Sequence, residues 1–529
     1  MKSKLPYSAG KLSLILLSFA LAGGALLSAC SQNSDGSDAS GSPSAGASAS
    51  ASASSEPPTP ISIMTTFFGD EPPGPDNVVI KEIEKRTNTK LNITWVSSNS
   101  YNEKVNVTLA SGDFPDLTLI LDNFAQNVRT MAAQGAFWDL EPYIKDYPNL
   151  MEYPQEAWDN SRYQDGKIYS IPRVRGLDTG MVAVRKDWLD RLGMEPPQTT
   201  DELYEVMKAF TTGDPDGNGT ADTVGLVGYI SADGLNLGSF NSILNTFQGA
   251  NGGWKIDGNG NLVNMTTDPS TKEALAWMRK AYEEGLIHKD FATLKNTQAR
   301  EIVMAGKAGV NFEPVSGSWV MTEGVRKIDP QGDMLPLVSL TNPKGEQYVG
   351  KGIGYYGTFV IPKTVSEEKM KKILSFFDYG ASPEGYELGA YGFADVHFTK
   401  DGDFYQQTEQ AKKDIVSTSA FGQVFTRFNK YAYAVAPNVS TDYYERSKGI
   451  IDQISEISVS DPTNGLYSET WSKYRNEWLK KTTDLQVKII LGSVSLESWD
   501  DYAAKLAEDT NWIKSIQELN DAYKTKKGQ

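Results

Sequence analysis

The sequence predicts an α/β protein that opens with a doubly wound lobe and closes in helices. Strand, helix, strand, helix and strand patterns follow one another from residue 61 to residue 121. Helix-capping pairs recur between short apolar runs through the middle of the chain, and aromatic residues fall at helical spacing after residue 460.

What precedes the fold decides where it works. Lys2, Lys4 and Lys11 flank an apolar run from Leu12 to Leu27, short for a bilayer span, which ends in Leu27-Ser28-Ala29-Cys30 with the chain's single cysteine. The pattern resembles the bacterial lipoprotein signal, cut before Cys30, whose thiol then carries the lipid; the other reading is an ordinary signal peptide with an incidental cysteine. Loss of residues 1–29 removes three lysines and no acids, so the net charge of −16 becomes −19. A surface this acidic disfavours nucleic acid and anionic headgroups. With Cys30 acylated, no thiol remains for a disulfide, a cysteine metal site or a cysteine nucleophile. Residues 31–60 are Ser, Ala, Gly and Pro with nothing to bury, a tether whose coil spans on the order of 30 Å. Roughly 470 residues are left for folded structure, enough for two or three domains or one two-lobed unit.

The elements then read in order. Ile61 to Phe67 is a buried strand, Asp76 to Arg86 a helix with Val79, Ile80 and Ile83 on one face, and Leu91 to Val96 an alternating strand. Tyr101 to Ala110 is helical and Leu117 to Leu121 is a buried strand. In such a lobe the loops after the strands touch ligand, which makes Asp70 and Asn123 candidates by position. Thr199 with Glu202, Ser270 with Glu273, and Thr364 with Glu367 have capping-box spacing and predict three helix starts. Gly309 to Phe312 is a short strand that Pro314 and Gly317 should break, and Thr358 to Ile361 is another. Trp471, Tyr474 and Trp478, then Trp499, Tyr502 and Leu506, form helical stripes read as core rather than as a ligand platform.

One loop has metal-site spacing. Asp214, Asp216, Asn218 and Asp222 stand at positions 1, 3, 5 and 9, the Thr220 carbonyl at 7, and Gly219 at the sharp turn, an oxygen set that suits calcium. Position 12 is Gly225, so the bidentate glutamate is missing, and a solvated Asx-rich turn is the alternative. Little points to catalysis: His288 and His397 lie far apart, and neither a zinc spacing nor a Gly-x-Ser-x-Gly elbow occurs. Paired carboxylates stay open, since the 67 acids offer many pairs. Gly352-Ile353-Gly354-Tyr355-Tyr356-Gly357 spells a dinucleotide fingerprint but leads into a strand where a helix N-terminus is needed, so its glycines are read as flexibility.

Ala110-Ser111-Gly112-Asp113-Phe114-Pro115-Asp116, Asp139-Leu140 with Tyr143-Ile144, and Asp165-Gly166-Lys167-Ile168-Tyr169-Ser170-Ile171-Pro172 come in a characteristic order. Val184-Arg185-Lys186-Asp187-Trp188-Leu189, Leu192-Gly193-Met194 and the stretch from Pro196 to Leu203 continue it. Over most of residues 61 to 400 the chain resembles the extracellular solute-binding proteins of ABC importers, in the branch with the maltose- and alginate-oligosaccharide-binding proteins, and looks closest to LplA-like lipoproteins. The resemblance implies a periplasmic-binding-protein-like fold of two discontinuous doubly wound lobes joined by a hinge, with a helical C-terminal part. The expected plan is a signal at 1–29, a lipidated Cys30 and linker at 30–60, an N-lobe of 61–178 plus a return segment after 357, and a C-lobe of 179–356 plus part of the C-terminus. The crossings should fall at Gly180 to Val184 and Gly357 to Ile361. The implied protein is a monomer, lipid-anchored at the extracellular face of the membrane, that closes on an oligosaccharide and delivers it to ABC permease subunits, with a structural calcium. Trp319 in Gly317-Ser318-Trp319 matches the family's sugar-stacking Gly-x-Trp, although Ser318 stands where proline is usual. Arg173 and Arg175 at the first crossing would face a uronic acid carboxylate or form structural salt bridges. Tyr355 is placed by position, and Trp254 lies at the cleft rim or in the core. An acidic pectin or alginate fragment fits the arginines, with neutral xylan or mannan open. The rival functions are a tethered glycosidase or lyase and a surface glycan adhesin or sensor.

Overall fold

Two sheets, each wrapped by helices, organise the chain. The structure is a computed structural model that describes residues 56–528 except 69–70, 99, 181, 403, 416–420 and 436–438. Cys30 and Asp70 therefore lie outside the described residues.

The first sheet has five strands in the spatial order Thr89–Ser97, Thr59–Phe67, Leu117–Ile120, Tyr355–Val360 and Ser170–Val174. The first three are parallel and are linked through helices Val78–Thr87 and Tyr101–Ser111, as the alternating pattern predicts. Tyr355–Val360 enters antiparallel to both neighbours. Helices cover both faces, so the strands read as apolar runs: Ile61, Ile63, Leu117, Leu119, Ile171 and Phe359 share one core with Val79, Ile83, Phe376 and Phe377. The second sheet runs Met334–Pro336, Ala183–Arg185, Ala308–Asn311, Val224–Leu226. Its core joins Val184, Trp188, Leu203, Met207 and Phe210 to Ile489, Ile490 and Trp499 from the far end of the chain. Each core thus draws on two separate stretches of sequence.

The helix starts follow the nearest available side-chain oxygen. Thr199 and Glu202 form the expected reciprocal box, with Glu202 N donating to Thr199 Oγ1 at 3.0 Å and Thr199 N to Glu202 Oε2 at 3.2 Å. The other two start elsewhere than Ser270 and Thr364 suggest. Asp268 caps Pro269–Glu283, accepting from Ser270 N at 2.9 Å, because Pro269 is pre-set for the first helical position. Ser366 caps Glu367–Ala381, accepting from Lys369 N at 3.3 Å. Gly317 breaks nothing: it lies inside the helix Val315–Val325, where a Cβ would stand 2.5 Å from Glu313 Oε2, so the glycine permits close packing. The C-terminal stripes are helices Glu469–Ile490 and Ser498–Glu508, with Trp478, Trp499 and Leu506 buried as core. Among the described residues no helix is long and apolar enough to cross a membrane.

Candidate functional site

The carboxyl ends of the parallel strands in the first sheet carry the candidate site. Opposite Ser170–Val174, the strand Tyr355–Val360 slips register between Tyr355 and Thr358, placing one extra residue in the ladder. Gly357 makes the bulge possible: it sits at φ +81°, and a Cβ there would lie 2.9 Å from the Ile120 carbonyl. The bulge re-aims the side chains on either side of it. Tyr355 is buried and its hydroxyl donates to the Asn160 carbonyl at 2.9 Å, whereas Tyr356 is 48% exposed with its ring 6.3 Å from that of Phe68, itself 52% exposed. The outward ring is the neighbour of the one named from sequence. Tyr355 was placed by position alone, and the glycine within the strand was the available sign that a bulge would turn its neighbour outward.

Below this aromatic pair lies Arg173, 1% exposed, its guanidinium carbon 4.9 Å from the Tyr356 ring centroid. Its Nε donates to the Tyr356 carbonyl at 2.8 Å and Nη1 to Gln423 Oε1 at 2.7 Å, while Nη2 donates to nothing among the described residues. Burial, with Arg175 as a like charge, pushes its pKa down to about 9, which still leaves a cation at neutral pH. Arg175 is lowered by burial too, and its Nη1 donates to the Val174 carbonyl at 2.9 Å. Tyrosine hydroxyls, Tyr433 foremost, lie near it. Neither arginine forms a salt bridge among the described residues, outside which Asp70 lies. The buried Arg173 and the half-buried Arg175 stand beside exposed aromatic rings, with no anion against them among the described residues.

The remaining candidates are packed. Asn123 is 2% exposed: its Nδ2 donates to the Ser161 carbonyl at 3.2 Å, and its Oδ1 accepts from Thr358 Oγ1 at 3.1 Å and Tyr163 Oη at 3.3 Å, which ties strands together and leaves little for a ligand. Its neighbour Asp122 faces outward and pairs with Arg475 at 3.3 Å. Trp319, within its helix, is buried with its ring 4.8 Å from Tyr443, and Trp254 is buried edge-on to Trp471 at 5.6 Å. Both indoles are core in this conformation, since a helix from the C-terminal part covers each. His397 is buried against Asp414 at 3.0 Å, and His288 accepts from Asp290 N at 3.3 Å.

The loop 214–222 brings its oxygens together and then satisfies them internally. Asp214 accepts from Asn218 N and Gly219 N, at 3.1 and 3.0 Å. Asn218 Nδ2 donates to Asp216 at 2.8 Å and to Asp222 at 3.2 Å, the Thr220 carbonyl accepts from Asp222 N at 3.0 Å, and Lys307 Nζ pairs with Asp222. Donor types and convergence on Asn218 fit a calcium ion. As folded, however, among the described residues no three carboxylate or imidazole groups stand close enough to hold a metal.

Comparison with known proteins places this geometry. Residues 69–387 match the family described as bacterial extracellular solute-binding protein. Lipoprotein LipO of Bacillus subtilis is 32% identical over 472 residues, 88% of this chain and 93% of that protein. The polygalacturonan/rhamnogalacturonan-binding protein YtcQ of the same organism is 33% identical over 475 residues, 88% and 92% of the two chains. Among solved structures, an HMO-binding, ABC-transporter-associated solute-binding protein of Bifidobacterium longum infantis superposes with TM-score 0.71 at 20% identity, over 89% of this chain and 99% of that one. An EF-hand mutant of the Streptococcus pneumoniae substrate-binding protein FusA, complexed with fructo-nystose, gives 0.63 at 23% identity, over 89% and 100%. These likenesses show the fold, two doubly wound lobes of the periplasmic-binding-protein type.

Proposed function

The chain belongs to the bacterial extracellular solute-binding proteins, and from that premise we propose that it captures an acidic, pectin-type oligosaccharide and delivers it to an ABC permease. The observation that carries the acidic part is the Arg173 guanidinium, buried under Tyr356 with Nη2 unpartnered among the described residues and Arg175 beside it. A uronate carboxylate is planar and bidentate, matches a guanidinium, and supplies the missing charge, while its ring face suits Tyr356 and Phe68. The likeness to YtcQ, a polygalacturonan/rhamnogalacturonan-binding protein, supports the same ligand class.

The lobes would be 61–178 plus a return after 357, and 179–356 plus part of the C-terminus, closing on a ligand that touches both. The ligand leaves as it arrived, with no bond broken. Cys30 would carry the lipid and hold a monomeric receptor on the outer face of the membrane, in keeping with the lipoprotein character of LipO. Calcium would be held by Asp214, Asp216, Asn218, Asp222 and the Thr220 carbonyl, and would supply positive charge that clamps the loop.

Isothermal titration of the purified protein with tri-galacturonate and with xylotriose tests this reading. Tight binding of the acidic trimer, compaction by small-angle scattering, and recovery of the trimer intact are expected. Preference for xylotriose, or cleavage of the trimer, would overturn it.

A further inference from the structure

A second feature of the chain, apart from the arginine edge, has the chemistry of a sugar site. A cavity of about 480 Å³ lies between the helix Asn241–Gln248 and the long helix Glu469–Ile490, within the size range of ligand pockets, roughly 300–1,000 Å³. From the long helix, Trp471, Arg475, Leu479, Thr483 and Gln486 line it, recurring every three or four residues and so sharing one face. Gln486 and Thr483, 4% and 3% exposed, put polar side chains on its wall. Across the cavity Gln248 is equally buried: its Nε2 donates to Thr271 Oγ1 at 2.7 Å and its Oε1 is left without a partner.

Buried polar groups are nearly always hydrogen-bonded, so the open amide oxygen of Gln248, beside an amide and a hydroxyl on the facing wall, calls for an occupant. They are neutral and mix donors with acceptors, which matches a ring carrying several hydroxyls; of the charged groups on the wall, Arg475 is paired with Asp122, while Asp233 and Asp461 are acids, so a carboxylate is offered little counter-charge. Trp471, braced edge-on by Trp254, supplies an indole wall. Arg475 ties the cavity to the first sheet, since it lines the one and pairs with Asp122 on the other.

We propose that this cavity is a subsite for an uncharged sugar unit of the captured oligosaccharide, with Gln486, Thr483 and Gln248 Oε1 reading its hydroxyls. The inference rests on the oligosaccharide reading and makes the ligand a mixed one, acidic at the arginine edge and neutral here.

The test compares two probes on the full chain by isothermal titration. A rhamnogalacturonan tetrasaccharide alternates acidic and neutral sugars; tri-galacturonate is acidic throughout. The double variant Gln486→Met, Thr483→Val keeps side-chain volume and removes the polar atoms. It should bind the tetrasaccharide at least about tenfold more weakly and tri-galacturonate within about twofold of the unaltered chain. Its Tm should hold or rise, because side-chain volume is kept and polar groups on a buried wall are replaced by apolar ones; a merely structural role would lower Tm instead. Equal effects on both probes, or none on either, overturn the subsite alone. If the unaltered chain binds neither probe, subsite and oligosaccharide reading fall together.

Discussion

The arginine edge of the first sheet and the acidic loop 214–222 are opposites in how their charge is balanced. At the edge, the buried Arg173 and the half-buried Arg175 are cations against which the chain sets no carboxylate among the described residues. In the loop, the carboxylates are largely solvated, and the chain supplies cations of its own: Lys307 on Asp222, and Arg191 on the Pro215 carbonyl. A buried charge without a partner costs several kcal/mol, while an exposed ion pair contributes little. An external anion arriving at the edge therefore gains much, and an external cation arriving at the loop gains only its advantage over one already there. On the proposed reading the edge would select a ligand, and the loop would be tightened by an ion.

The comparison is broken most directly at Arg173. Arg173→Met should weaken tri-galacturonate binding by about 2–4 kcal/mol, on the order of 30- to 1,000-fold, while Tm holds or rises as an unpaired buried charge is removed. Arg173→Lys should not rescue binding, since an ammonium lacks the planar fork that reaches the Tyr356 carbonyl, Gln423 and a carboxylate together. A large loss of Tm with affinity intact would make Arg173 a brace and erase the contrast. Tyr356→Ala sharpens it on a smaller scale: loss of one stacking face should cost about 3- to 10-fold in affinity with little change in Tm, and Tyr355→Phe, which removes only the buried hydroxyl, should leave affinity unchanged.

The fold was legible because its information is local. Parallel strands covered on both faces appear as apolar runs, and Thr199 with Glu202 announces its helix outright. Helix starts drifted by a few residues where several oxygens compete for the same N–H groups, as Asp268 does with Ser270. The site was legible only in part. Arg173 and Arg175 stand out as charges beside an apolar strand, but Tyr356 is exposed only because Gly357 introduces a bulge. Trp319 and Trp254 resemble ligand platforms until Tyr443 and Trp471 pack against them from the C-terminal part. Gln486 and Thr483 look like ordinary solvated helix positions. Their burial depends on a helix far earlier in the chain, and no local pattern encodes that.

The smallest expected effect lies in the loop, and it tests the other half of the contrast. Lys307 hydrogen-bonds the Asp222 carboxylate and, ahead of Asn218, holds its pKa below the usual aspartate value. A calcium ion drawing on Asp222 must displace that ammonium or share the carboxylate with it. Lys307→Met keeps most of the aliphatic stem and leaves the carboxylate free, so calcium affinity should rise, by up to about fivefold given how weak solvated ion pairs are. Without calcium the variant should melt slightly below the unaltered chain, having lost the tethered cation. With calcium at a concentration near the dissociation constant it should gain more in Tm, because stabilisation by a ligand grows with its concentration relative to that constant. High salt should narrow the difference between the two chains, since it screens the ammonium that separates them. If calcium affinity instead falls when Lys307 is removed, the lysine supports the ion's site, and the loop, like the edge, depends on a partner from outside the chain.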